Sequence, residues 1–178
     1  MKNNIKRIGK NLLTIWGGIS LIAIILILGY LAYSMTIGNK TVENEATKSD
    51  VRFVLNWCGL GDQRIEKVTN SYESGSSFNG DYLQAYAIDI SKVTFVELKN
   101  KNGFYRLDSL PQVLKDAVKM ASGWQHEIPW FPRLEDFKKE EVYVYPWSIH
   151  CNGITPSGAE LIFVVPKDKK VYYIGTKI

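Results

Sequence analysis

From Asn11 to Asn39 the chain carries no charged side chain, and within that stretch Leu12 to Tyr33 is a predominantly apolar run of 22 residues. As a helix rising 1.5 Å per residue it would reach about 33 Å, enough to cross a hydrocarbon core. Lipid offers backbone amides no water to bond, so a lone apolar segment satisfies them only as a helix. Trp16 near one end and Tyr30 and Tyr33 near the other suit the headgroup regions, where an amphipathic ring is half wet, and are the candidate membrane-interface residues. The pattern predicts a transmembrane helix over residues 11–36, a basic tail over 1–10, and a polar tether over 37–48.

Beyond the tether the periodicity changes. Val51, Val54, Leu55 and Cys58 fall at helical spacing behind Ser49 and Asp50, either of which can cap, and Gly59 supplies a left-handed stop, so a helix is expected from Asp50 to Cys58. Ile65–Glu73 and Tyr82–Lys92 have strand-like content, with Tyr82, Tyr86, Ile88 and Ile90 on one face. The Ser74–Asp81 segment between them has the turn chemistry of a hairpin loop. Val93–Leu98 reads as an extension of that strand or a further one. Leu110, Val113, Leu114, Ala117, Val118 and Ala121 form one apolar stripe, which predicts a second helix ending before Gly123. Val142–Cys151, Glu160–Val165 and Val171–Thr176 read as strands, the last two joined through Pro166–Lys170. Strands that follow one another through short turns pair antiparallel. The expected class is therefore α+β: one globular domain over residues 49–178, with an antiparallel sheet of about five or six strands and two helices covering one face.

Charge sharpens the topology. The first ten residues hold Lys2, Lys6, Arg7 and Lys10 and no acid, and the remaining 18 basic residues are matched by 18 acidic ones. Basic residues accumulate on the cytoplasmic side, so the N-terminus is expected in the cytoplasm of a bacterial inner (plasma) membrane and the domain in the periplasm or outside. A cleaved signal peptide is the rival reading, but its apolar region spans roughly 7 to 15 residues, and the only small-x-small site here, Ala32-Tyr33-Ser34, is flanked by bulky groups. Retention of the anchor, in contact with membrane lipid, is expected. The neutral remainder lacks the clustered Lys and Arg excess that nucleic acid requires.

Cys58 and Cys151 are the only cysteines, and a pair in an exported domain predicts a disulfide tying the first helix to a late strand. Chemistry is otherwise sparse. The chain has no phosphate loop, nucleophile elbow, Ser-x-x-Lys or Cys-x-x-Cys. His126-Glu127 begins like a zinc-protease helix, yet Trp130 stands where the second His belongs and Pro129 would break the helix. Cys58 with His126 or His150 has the residue types of a thiol hydrolase, but Cys58 is expected at a helix C-terminus, where the dipole disfavours a thiolate. A zinc site from His126, His150, Cys58 and Cys151 would need four distant ligands. Acid pairs such as Asp62 with Glu66, Glu135 with Asp136 and Glu140 with Glu141 read as solvated surface. No cofactor, metal site or enzymatic activity is expected.

Aromatic residues dominate Trp124 to Pro132 and the strand after it. Trp124, Trp130, Phe131 and Trp147 are the candidate partner-binding residues, because large rings give much contact area for little entropy and flanking prolines stiffen the loop. The expected function is a single-pass, membrane-anchored extracytoplasmic domain that binds another protein, with an envelope immunity or inhibitor protein as one version. The alternatives are an envelope cysteine hydrolase and a structural accessory subunit of a membrane complex.

Overall fold

The apolar run and the basic residues before it form one helix, α1 (Lys2–Thr36), in the computed structural model, which describes residues 2–36, 40–41, 46–74 and 81–177. Its stretch Thr14–Tyr33 has a mean hydropathy of 2.3, the length and composition of a membrane anchor or of a signal sequence. The helix begins before residue 11, inside the expected basic tail. Most of the expected tether, and the loop expected between Ser74 and Asp81, lie outside the described residues. The chain divides into two compact units, Met1–Asn39 and Lys40–Ile178.

The second unit is built on a sheet of strands β1 (Lys40–Thr41), β2 (Ile65–Ser74), β3 (Tyr82–Ile90), β4 (Tyr105–Arg106), β5 (Tyr143–Asn152), β6 (Thr155–Val165) and β7 (Lys170–Lys177). All neighbours run antiparallel in the order β1-β2-β3-β7-β6-β5-β4. Five strands are long, and the two-residue β1 and β4 sit at the edges. The fold is α+β with an antiparallel sheet, as the strand pattern implies.

The helices correct one expectation. They lie on both faces of the sheet, not one. Val51, Val54 and Leu55 of α2 (Lys48–Trp57) and Leu98 of α3 (Phe95–Asn100) pack on Tyr86, Ile88, Ile162, Val164 and Tyr173. Leu114, Ala117, Val118 and Ala121 of α4 (Gln112–Ser122) and Phe137 of α5 (Leu134–Phe137) pack on Leu83, Ala85, Leu161, Phe163 and Ile174. Alternate residues of β3, β6 and β7 thus enter opposite cores, giving three layers.

Local chemistry sets the helix ends. The Asp50 carboxylate accepts the Thr47 N–H at 2.8 Å and its hydroxyl at 2.7 Å, so the cap falls at Thr47 rather than at Ser49 or Asp50. Gly59 takes φ 67° and stops α2 as expected. The segment read as a strand extension is helical because Thr94 Oγ1 accepts the Glu97 N–H at 3.2 Å, and Arg64 then holds Glu97 through two bonds at 2.8 and 3.1 Å.

Candidate functional site

Phe53 and Trp57 stand one turn apart on α2, so both reach over the same side of the sheet. The Phe53 ring lies 4.4 Å from Trp57, 5.4 Å from Tyr173 and 6.2 Å from Tyr86. Trp57 in turn stacks on Trp147, with centroids 4.6 Å apart and planes 4° from parallel. A register shift between Pro146 and Ser148 inserts Trp147 as a bulge in β5, which re-aims the indole at α2. Pro146, which lacks an N–H, is tolerated beside that break in the ladder. Trp147 keeps 45% of its surface exposed.

Beside this aromatic ledge runs a polar row. Pairing places Glu73, Gln84, Gly175, Glu160 and Ser148 in one line across β2, β3, β7, β6 and β5. The neighbouring line is Ser71, Tyr86, Tyr173, Ile162 and Tyr145. Tyrosines on either side lean into the row. Tyr82 donates to Glu160 Oε1 at 3.2 Å, Tyr173 approaches the same oxygen at 3.5 Å, Ser148 donates to Oε2 at 2.6 Å, and Tyr86 bonds Glu73. Gly175 is required there, because a Cβ would lie 2.5 Å from the Tyr173 hydroxyl. Burial, with the Glu160 charge beside it, pushes the Tyr82 phenol up to about 12 and raises Tyr173 further. These phenols stay protonated at neutral pH and act as donors to the carboxylates, not as nucleophiles.

The β5–β6 hairpin continues past this row. Lys177, at the end of β7, pairs with Gly158, and Gly158 with His150, so residues 151–157 extend beyond β7 as a two-stranded arm. It turns through Gly153, φ 66°, and carries Ile154 at its tip, 93% exposed. An exposed indole and an exposed isoleucine thus share one hairpin.

The other residues singled out by sequence fall elsewhere. Phe131 is core: it is 5% exposed and meets Phe137, Phe163 and Tyr172 edge to face at 6.1, 6.1 and 5.8 Å. Its partner-binding assignment is therefore corrected, the apolar void beneath α4 being a stronger attractor than solvent for a ring between two prolines. Trp124 and Trp130 are half-buried against the same core. Cys58 and Cys151 are free thiols, which corrects the disulfide. Cys58 is 2% exposed and donates to the Leu55 carbonyl at 3.4 Å, while Cys151 is exposed on the hairpin arm. Burial pushes the Cys58 thiol up to about 11, and His126 and His150 are exposed on other elements, with His126 Nδ1 2.9 Å from the Gly123 carbonyl. That placement is the opposite of what an activated nucleophile needs. Trp16, Tyr30 and Tyr33 are exposed along α1. Among the described residues, no group of three or more His, Cys, Asp or Glu side chains is close enough to hold a metal ion.

Sequence reasoning missed Phe53, Trp57, Glu73 and Glu160. The spacing of Phe53 and Trp57 by four was the available signal, but the two glutamates fall into one row, with two strands between them, only through strand pairing. Comparison with known protein families, curated proteins and solved structures finds no significant match.

Proposed function

We propose that this protein is a single-pass, membrane-anchored binding domain that meets a partner protein on the extracytoplasmic side through the Trp147 ledge and the β5–β6 arm. The observation that carries the reading is Trp147, a large ring left 45% exposed yet held flat against Trp57 before any partner arrives. Such an indole loses little freedom on binding, and tryptophan is enriched among the residues that dominate interface energy. Ile154 adds an apolar contact at the end of the same hairpin, and the hydroxyl and carboxylate row supplies a polar flank. Anchoring rests on α1 and direction on the basic first ten residues.

The test is chemical cross-linking of the full chain in the cells that express it, comparing wild type with Trp147→Ala and Ile154→Asp. Each variant is expected to lose a discrete cross-linked complex at least tenfold while keeping the wild-type melting temperature to within a few degrees. A complex undiminished in both variants would rule this surface out.

A further inference from the structure

On the opposite face of the sheet, a groove of about 530 Å³ runs beside α4. Leu107, Leu110, Val118 and Leu134 line it with aliphatic surface, the first, second and fourth half-buried against the core. Lys115 and Lys119, one turn apart on α4, and Lys138 after α5 stand along its rim. No ion pair or side-chain hydrogen bond among the described residues occupies these three ammonium groups. The acids beside them are differently placed: Asp108 accepts Arg106 at 2.7 Å, and Asp116 accepts the Gln112 side chain at 2.9 and 3.0 Å. A second opening of about 360 Å³ shares Leu107, Asp108, Lys115 and Lys138, so the groove continues toward Arg106. In the other direction a small recess shares Val118 and Leu134 and is lined by Phe131, Phe137 and Phe163.

An aliphatic trough ending at aromatic rings, edged by cations without partners, has the complementarity of an anionic amphiphile. Its size falls within the usual range for small-molecule sites, roughly 300 to 1,000 Å³. The apolar wall gains by covering a hydrocarbon chain, and the ammonium groups gain by facing a carboxylate. We propose that the groove beside α4 binds a free long-chain carboxylate, with the hydrocarbon chain along Leu107, Leu110, Val118 and Leu134 and the head group held by Lys115, Lys119 and Lys138. The site is on the other face of the sheet from the Trp147 ledge and stands independently of it.

The experiment uses the full chain in nanodiscs and a photoactivatable dodecanoate carrying a diazirine near its methyl end, with labelled residues mapped by mass spectrometry. Label on α1 reports partition into lipid and serves as an internal standard. The expected result is label on α4 and α5 that excess dodecanoate competes away and excess dodecanol does not. The triple variant Lys115→Gln, Lys119→Gln, Lys138→Gln should lose that label at least tenfold relative to α1. A melting curve of the variant within a few degrees of wild type excludes unfolding as the cause, and the single Lys138→Gln variant, expected to lose about threefold, gives a second reading. Label confined to α1, equal competition by dodecanol, or label unchanged in both variants would overturn the proposal. So would label abolished by adding anionic phospholipid to the nanodisc, which would assign the groove to a membrane lipid instead.

Discussion

A ring's residue type says little about which side of the surface it occupies; its neighbours decide. Phe131 and Trp147 both follow or adjoin a proline, yet Phe131 is surrounded by Phe137, Phe163 and Tyr172 while Trp147 has one aromatic partner and open space beyond. Polar atoms obey the same logic. Thr176 is fully buried, and its hydroxyl is the one buried side-chain oxygen or nitrogen among the described residues without a partner. A buried hydroxyl with no hydrogen bond costs about 1 to 3 kcal/mol, so Thr176→Val, nearly the same shape without the polar atom, should stabilise the domain by about 1 kcal/mol in denaturant unfolding. Cys58 makes a pH prediction. Its thiol titrates near 9.0 when unfolded and about 11 when folded, because burial favours the neutral form. Between those values the unfolded chain has lost a proton that the folded chain keeps. This stability is fully present below pH 9 and is lost as pH rises through 11, by about 3 kcal/mol at most. Unfolding measured from pH 8 to 9.5, below the range in which the unfolded phenols of the buried tyrosines ionise, should show the onset of that decline, and Cys58→Ala, whatever its constant cavity cost, should flatten it there; above pH 10 the raised phenols of Tyr82 and Tyr173 add a decline of the same sign that Cys58→Ala leaves in place.

At the scale of elements, what could be read from the chain and what could not divide by the range of the interaction. The apolar stripe of α4, the left-handed Gly59, the β5 and β7 spans and the Glu160–Val165 part of β6 are set within a few residues, and the sequence shows them; the Thr155–Ala159 part of β6, polar and glycine-containing, is a strand only through its pairing with β5 and was not expected. The layer arrangement was also written there, in the unbroken Leu161–Val165 run of β6: a strand apolar at every position has both faces buried, which demands helices on both sides. The ledge was not legible. It depends on a one-residue bulge that turns Trp147 toward α2 and on β3–β7–β6 pairing that brings Gln84, Gly175 and Glu160 abreast, both products of register. The burial of Cys58 follows likewise from α2 docking. If α2 is needed as the cover of one face, Leu55→Ala should cost about 2 to 5 kcal/mol, as for other fully buried leucines. Val96→Ala, on the exposed side of α3, should stay within about 0.5 kcal/mol. Equal effects in chemical denaturation would mean that α2 contributes little to the core.

For the whole molecule, the two free thiols turn the topology into a measurement. Cys151 lies exposed on the hairpin arm, whereas Cys58 is sealed beneath α2 with its proton held well above neutral pH. A maleimide reacts with an accessible thiolate, so at pH 7 the native chain should take up one label, at Cys151, with Cys58 reacting only after unfolding. An impermeant maleimide therefore reports where the second unit resides. Under the proposed topology the four basic residues before the charge-free stretch stay inside and this unit is exported, since Lys and Arg resist transfer while the balanced charge after Asn39 offers no competing signal. Intact spheroplasts expressing the full chain should label at Cys151 without lysis, and Cys151→Ser should abolish that label. If labelling requires permeabilisation, the domain is cytoplasmic and the extracytoplasmic partner falls with it. Release of the labelled domain into the medium would show instead that α1 is removed as a signal sequence. A label that appears before lysis and stays with the membrane fraction fits only the anchored, outward-facing arrangement.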